Sequence, residues 1–195
     1  FLHENISKIN TNNPEITILY AGNIGHAQGL DKIVPHVAKK LEKKYRFVII
    51  GDGSAREKLV ASIKHNKIKN VTIIDPVNRQ ELLSFYRQSD ILFLHLDDIP
   101  AFKRVLPSKL FEYAAMGKPI VAGIEGYSSE FTREHIPYSL VFKPGQVDQC
   151  VKCIIKSTSI VIKKSEINYF INNFSRHKIM KSYAADLLKF SKLNS

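Results

Sequence analysis

Only two cysteines, Cys150 and Cys153, occur among 195 residues. Two thiols cannot build a disulfide framework, so a small stapled extracellular fold is excluded and a reducing compartment is expected. No apolar run approaches the ~18–20 residues of a membrane-spanning helix. The opening residues, Phe1-Leu2-His3-Glu4-Asn5, lack the basic-then-apolar pattern of a secretory leader. Acidic residues are scarce: 18 Asp and Glu stand against 29 Lys and Arg, a net charge of +11. Such a balance favours anionic partners, whether phosphate ligands, acidic lipid or nucleic acid. There is no groove-reading motif and no set of aromatics beside the basic residues, so nucleic acid is disfavoured. Two phosphate-binding signatures are also missing, the dinucleotide spacing of glycines and the P-loop Lys-Ser pair.

What is present is enough apolar material, 44%, to fill a core. Short Ile- and Val-rich runs at 16–20, 46–50, 71–74, 90–94, 119–122 and 140–142 read as strands buried on both faces. Amphipathic stretches at 30–44, 57–65, 79–88, 108–116, 146–156 and 179–190 read as helices between or after them. Alternation of this kind implies right-handed crossovers and one α/β domain with about six parallel strands and helices on both faces. The segment 157–165 reads as a surface turn. Cys150 and Cys153, one helical turn apart, read as small apolar packing residues and not as a zinc pair.

Ligands of such sheets sit at the carboxyl ends of the strands. After the first strand comes Ala21-Gly22-Asn23-Ile24-Gly25-His26-Ala27-Gln28-Gly29, whose glycines either let the backbone approach an anion or simply turn the chain. After the second comes Gly51-Asp52-Gly53-Ser54, either a tight turn with Ser54 capping the next helix or a place where Gly53 meets a ligand. After the fourth comes Asp97-Asp98. Adjacent carboxylates in an extended segment point apart and no third ligand is visible, so no metal is expected. His26 and His95 lie at strand ends within reach of a ligand.

The most informative stretch is Pro107-Ser108-Lys109-Leu110-Phe111-Glu112-Tyr113, followed by Gly117-Lys118-Pro119. It reads as a short helix started near Pro107 and ended at Gly117. Its charges oppose the helix dipole, with Lys109 near the positive end and Glu112 further along. A Lys-before-Glu pair three residues apart adds only a few tenths of a kcal/mol at best. An anion at the helix start explains Lys109, a hydroxyl-bearing ligand explains Glu112, and a nucleotide sugar carries both.

Together these motifs resemble the donor-binding half of the family 4 retaining glycosyltransferases, and within it the bacterial subgroup building surface polysaccharide, including lipopolysaccharide, with N-acetylfucosamine-type sugars. The resemblance covers residues 15–190. It implies a Rossmann-like domain, the C-terminal half of the two-domain arrangement called GT-B, with residues 1–14 as a lead-in from an N-terminal acceptor domain that is absent. It further implies that Glu112 binds ribose hydroxyls, that the amides of Ser108, Lys109 and Leu110 face a diphosphate, and that Gly22, Asn23, Gly25, Gln28 and Gly53 approach the phosphates or the sugar. The segment Pro76-Val77-Asn78 would hold the base, with Val77 as the contact. The family often has a second glutamate eight positions before Glu112. Arg104 stands there, and the resemblance leaves the phosphate charge to be met by Lys109, Lys103 or Arg104. The usual Arg and Lys of the first loop are Asn23 and Gln28.

The function expected on this resemblance is binding of a nucleotide-diphosphate sugar, a UDP-sugar, within a retaining glycosyltransferase of polysaccharide biosynthesis. The catalytic residues are not identified, no cofactor or metal is expected, and the isolated domain is expected to be inactive. A cytoplasmic location is expected. Residues 150–195 carry nine Lys and Arg against Glu166 and Asp186. If Lys163, Lys164, Arg176, Lys178 and Lys181 share a face, they fit peripheral contact with anionic lipid at the inner face of the membrane. Two alternatives stay open. An epimerase acting on the same nucleotide sugars would need acid/base groups at the cleft, for which His95 and Asp97 are the candidates. A basic nucleic-acid-binding domain would show salt-sensitive binding to any strand.

Overall fold

The computed structural model describes residues 15–175, apart from 43, together with 178. Six strands form the frame: β1 (Ile16–Ala21), β2 (Tyr45–Ile50), β3 (Val71–Ile74), β4 (Ile91–His95), β5 (Ile120–Gly123) and β6 (Ser139–Phe142). All neighbours pair in parallel, in the order β3-β2-β1-β4-β5-β6. The order reverses direction between β1 and β4, and a crevice opens outside the strand ends at such a reversal.

Successive side chains of a strand point to opposite faces, and both faces here are apolar. Ile18, Phe47, Ile49, Ile91 and Phe93 face one layer, with Val34 and Val37 of helix α1 (Leu30–Lys40), Leu59 of α2 (Arg56–His65) and Ile154 of α6 (Val147–Ser157). Leu19, Val48, Ile50, Leu92 and Ala122 face the other. Tyr86 of α3 (Arg79–Gln88), Leu110 and Tyr113 of α4 (Ser108–Met116), Phe131 of α5 (Tyr127–His135) and Phe170 of α7 (Lys164–Phe174) complete that layer. The expected fold is therefore the observed one. Cys150 and Cys153 are free thiols packed into the first layer.

Several local expectations need correction. Helix α1 stops at Lys40 and not at 44, because the chain must turn before β2 begins at Tyr45. Ser54 does not cap α2: Ala55 holds the cap position and no side chain caps there. Helix α5 was not foreseen. It buries Ser128, Ser129 and Thr132 rather than a stripe of large apolar residues, and the Thr132 hydroxyl donates to the Ser128 carbonyl at 2.6 Å. Helix α7, which the sequence reading did not include, begins at Lys164 and so takes over the end of the segment 157–165 read as a turn. The helix expected at 179–190 lies outside the described residues, as do residues 1–14, Arg176 and Lys181. Among the described residues no helix is long and apolar enough to cross a membrane.

Candidate functional site

The loops after β1 and β2 are joined by backbone hydrogen bonds. Gly22 donates to the Ile50 carbonyl at 2.9 Å, Ile24 to Asp52 at 2.7 Å, and Ala55 back to Ile24 at 2.8 Å. This contact accounts for Gly51. A Cβ there would stand 1.9 Å from the Gly22 carbonyl oxygen, and its φ of +147° is one that other residues rarely adopt. Gly53 serves the same contact, since a Cβ on it would meet Asn23 Oδ1 and the Ile24 backbone at 2.4 and 2.7 Å. These two glycines bring loop against loop.

An open cleft of about 330 Å³ lies at the carboxyl ends of β1, β2 and β3. Gly22 and Asn23 form one wall, Gly51 and Asp52 another, and Pro76, Val77 and Leu82 the apolar side. Lys109, from the first turn of α4, closes the remaining side. The volume is at the lower end of that of small-molecule sites, which mix apolar walls with a few polar groups.

Of the expected site residues, Gly22, Asn23, Val77 and Lys109 come together on this cleft. Glu112 stands beside it: its Oε2 accepts from Lys109 Nζ at 2.9 Å and from the Tyr86 hydroxyl at 3.2 Å. The Lys109–Glu112 pair considered from sequence therefore forms. Helix α4 starts after Pro107 with no side-chain cap, so the Ser108 and Lys109 amides have no helical carbonyl to reach. The Leu110 amide already donates to the Pro107 carbonyl at 3.0 Å, and the Leu110 side chain is buried. Gly25, Gln28 and Gly53 are not among the residues lining the cleft. Gln28 Oε1 instead accepts from the Gly25 amide at 3.1 Å and from Asn23 Nδ2 at 3.2 Å, which fixes the first loop. Arg104 ends a short 3₁₀ turn, Pro100–Arg104, exposed and off the cleft wall. Asn78 caps α3, accepting from the Glu81 amide at 3.0 Å.

Sequence reasoning missed three tyrosines that hold this edge. Tyr20 donates to the Asn23 carbonyl at 2.6 Å, the Ala21 amide donates to the Tyr113 hydroxyl at 3.1 Å, and Tyr86 packs edge-on against Tyr113. Burial raises the pKa of all three phenols, so they remain protonated. The available signal was a tyrosine on an otherwise apolar strand or helix face, because a buried hydroxyl needs a partner.

The two candidates for acid/base chemistry are not on the cleft. Asp97 is paired with Lys32, whose hydrogen bond draws the carboxyl below its usual pKa against the opposing effect of burial. His95 is 1% exposed. The Gly145 amide donates to its Nε2 at 3.1 Å, so Nε2 is the acceptor and Nδ1 carries the proton given to the Gln28 carbonyl at 2.7 Å. Burial lowers the His95 pKa, so the folded state takes up the second ring proton, at Nε2, more weakly than an unfolded histidine with pKa about 6.5. The stability this gives is complete above pH about 6.5 and is lost as pH falls towards the folded pKa. The expected result in an NMR titration is a His95 midpoint below about 6.5, the value of an unfolded histidine. A His95 midpoint at or above pH about 6.5 would contradict the assignment.

A profile of the family described as "Glycosyl transferases group 1" matches residues 3–177. The "Putative colanic acid biosynthesis glycosyl transferase WcaI" of Escherichia coli (strain K12) is 28% identical over 111 residues, 57% of this chain and 27% of that protein. The 2-deoxystreptamine N-acetyl-D-glucosaminyltransferase of Niallia circulans is 30% identical over 135 residues, 67% of this chain and 33% of that one. The chain thus spans about a third or less of the length of these curated relatives. Among solved structures, the lipopolysaccharide outer core galactosyltransferase WaaB superposes with a TM-score of 0.69 at 20% identity, over 94% of this chain and 51% of its own. Anabaena HepE in complex with UDP-glucose gives 0.72 at 15% identity, over 90% and 49%. At these identities the structures share the fold alone. The family profile runs along most of the sequence, over the sheet and the loops that make the cleft: the chain belongs to the group 1 glycosyl transferases.

Proposed function

We propose that the cleft binds a nucleoside-diphosphate sugar, a UDP-sugar by preference, as the donor of a retaining glycosyltransferase in surface-polysaccharide synthesis. The observation that carries this reading is the cleft at the ends of β1–β3, with an apolar side at Pro76, Val77 and Leu82, the Lys109 cation across from Gly22, and the Glu112 carboxylate next to it. The apolar side suits a base, the uncapped start of α4 and Lys109 suit a diphosphate, and Glu112 suits ribose hydroxyls. HepE, of the same fold, was solved with UDP-glucose. The reaction would be substrate-assisted attack at the anomeric carbon, with positioned donors stabilising the charge that builds on the departing diphosphate. No side chain of this cleft is assigned a proton-transfer step. The acceptor would be bound by a second, N-terminal domain, so this chain alone should bind donor and transfer poorly.

Calorimetric titration with UDP, UMP and uridine tests the reading against the nucleic-acid alternative. Saturable micromolar binding of UDP supports it. Absence of nucleotide binding, with salt-sensitive binding to any DNA or RNA strand, would replace it with the nucleic-acid reading. Lys109→Ala should weaken UDP more than uridine. The melting temperature should shift by no more than about 2–3 °C, since an exposed pair opposed to the helix dipole adds little. A large fall in melting temperature with an unchanged UDP-to-uridine ratio would make Lys109 structural.

A further inference from the structure

Tyr86 reaches Glu112 from the core side. The residue is 3% exposed, its ring is packed edge-on against Tyr113 at 5.8 Å between centroids, and its hydroxyl emerges at Glu112 Oε2. The same oxygen accepts Lys109 Nζ. Two donors on one carboxylate oxygen fix the rotation of the carboxylate. Among the described residues no donor is recorded for Oε1, the oxygen left to accept from a ligand.

The two donors are not equivalent. Lys109 is a flexible point charge, and its Cε lies 3.6 Å from where a Cβ on Gly22 would be, over the first loop. A phosphate bound at that loop competes with Glu112 for the ammonium. Once Lys109 turns to the phosphate, the Tyr86 hydroxyl remains as the restraint on Oε2. It sits on a ring locked by packing, so it holds the carboxylate without losing further freedom when ligand arrives.

We propose that Tyr86 is a positioning residue for the donor site: it holds Glu112 Oε2 so that Oε1 faces the vicinal hydroxyls of a ribose, and this makes the site select ribonucleotides over 2′-deoxyribonucleotides. The inference rests on the reading of the cleft as a nucleoside-diphosphate site. Geometric restraint is what converts a carboxylate that merely attracts hydroxyls into one that discriminates between one hydroxyl and two. Without it, Glu112 is an exposed side chain with three free torsions.

The test is calorimetry with UDP and 2′-deoxy-UDP on the chain and on Tyr86→Phe, Glu112→Gln and the double variant. Tyr86→Phe keeps the ring against Tyr113 and removes only the hydroxyl. It should weaken UDP about three- to tenfold, the scale of one hydrogen bond. It should weaken 2′-deoxy-UDP less, so that the preference for the ribonucleotide shrinks. In the Glu112→Gln background, loss of the Tyr86 hydroxyl should cost little more, because the two residues act through one contact. Overturning results are a Tyr86→Phe variant that keeps the full UDP preference, or one whose loss simply adds to that of Glu112→Gln. Either would make Tyr86 a core residue only. A chain that binds neither nucleotide fails the functional reading and this inference with it, while UDP binding with unchanged preference in Tyr86→Phe fails the inference alone.

Discussion

Gly51→Ala is expected to destabilise the chain by about 3–5 kcal/mol, in the range reserved for backbone clashes and buried defects. The new methyl would meet the Gly22 carbonyl oxygen at 1.9 Å. Neither side can give way cheaply, because the obstacle is backbone held by the Gly22–Ile50 and Ile24–Asp52 hydrogen bonds. Relief requires the two loops to part, with loss of those bonds. Gly145→Ala supplies the comparison. Its φ of +74° is also unfavourable for alanine, but nothing lies within 4 Å of the added carbon, so its cost should stay at about 1–2 kcal/mol of backbone strain. Urea unfolding of the two variants separates contact from conformation. Equal losses would mean that Gly51 is required for its dihedral angle alone.

Glu112→Ala should weaken UDP binding by about 1.5–3 kcal/mol, roughly 10- to 150-fold, the range for hydrogen bonds to a charged group. On the sequence alone the fold is expected to survive the substitution, since only a marginal pair with Lys109 is lost. The structure adds the Tyr86 hydroxyl, which loses its carboxylate partner. A stability loss of up to about 1 kcal/mol is therefore expected alongside the affinity loss. Calorimetry and thermal melting on one preparation measure both. Unchanged affinity for UDP would remove Glu112 from the site.

The sheet was legible because its strands are short Ile- and Val-rich runs without alternation, and each reappears within a residue or so of its expected position. Helix α4 was legible from its ends: Gly117 closes it at φ 62°, ψ 38°, a left-handed turn that favours glycine. Helix α7 carries a readable signal at Ile167, Phe170, Ile171 and Phe174, spaced three and four apart, outside the stretches read as helices. Helix α5 had no such signal, because Phe131 is its one large buried apolar residue and the rest of the buried face is Ser128, Ser129 and Thr132, whose hydroxyls are hydrogen-bonded. Within the candidate site, Lys109 and Glu112 stood out because their charges are wrongly ordered for a free helix. The glycines were harder. Spacing says that backbone comes close at Gly51 and Gly53, but not whether the neighbour is a ligand or another loop. The contact between Tyr86 and Glu112 spans 26 residues, and no local pattern announces it.

The interlocked loops after β1 and β2 also bear on how this rim can change over generations. A residue inserted into 22–25 would shift the donors that meet Ile50 and Asp52, and one inserted into 51–54 would shift the Asp52 acceptor against the Ala55 donor. Neither loop is therefore free to change length by itself: an insertion in one breaks hydrogen bonds that only a compensating change in the other restores.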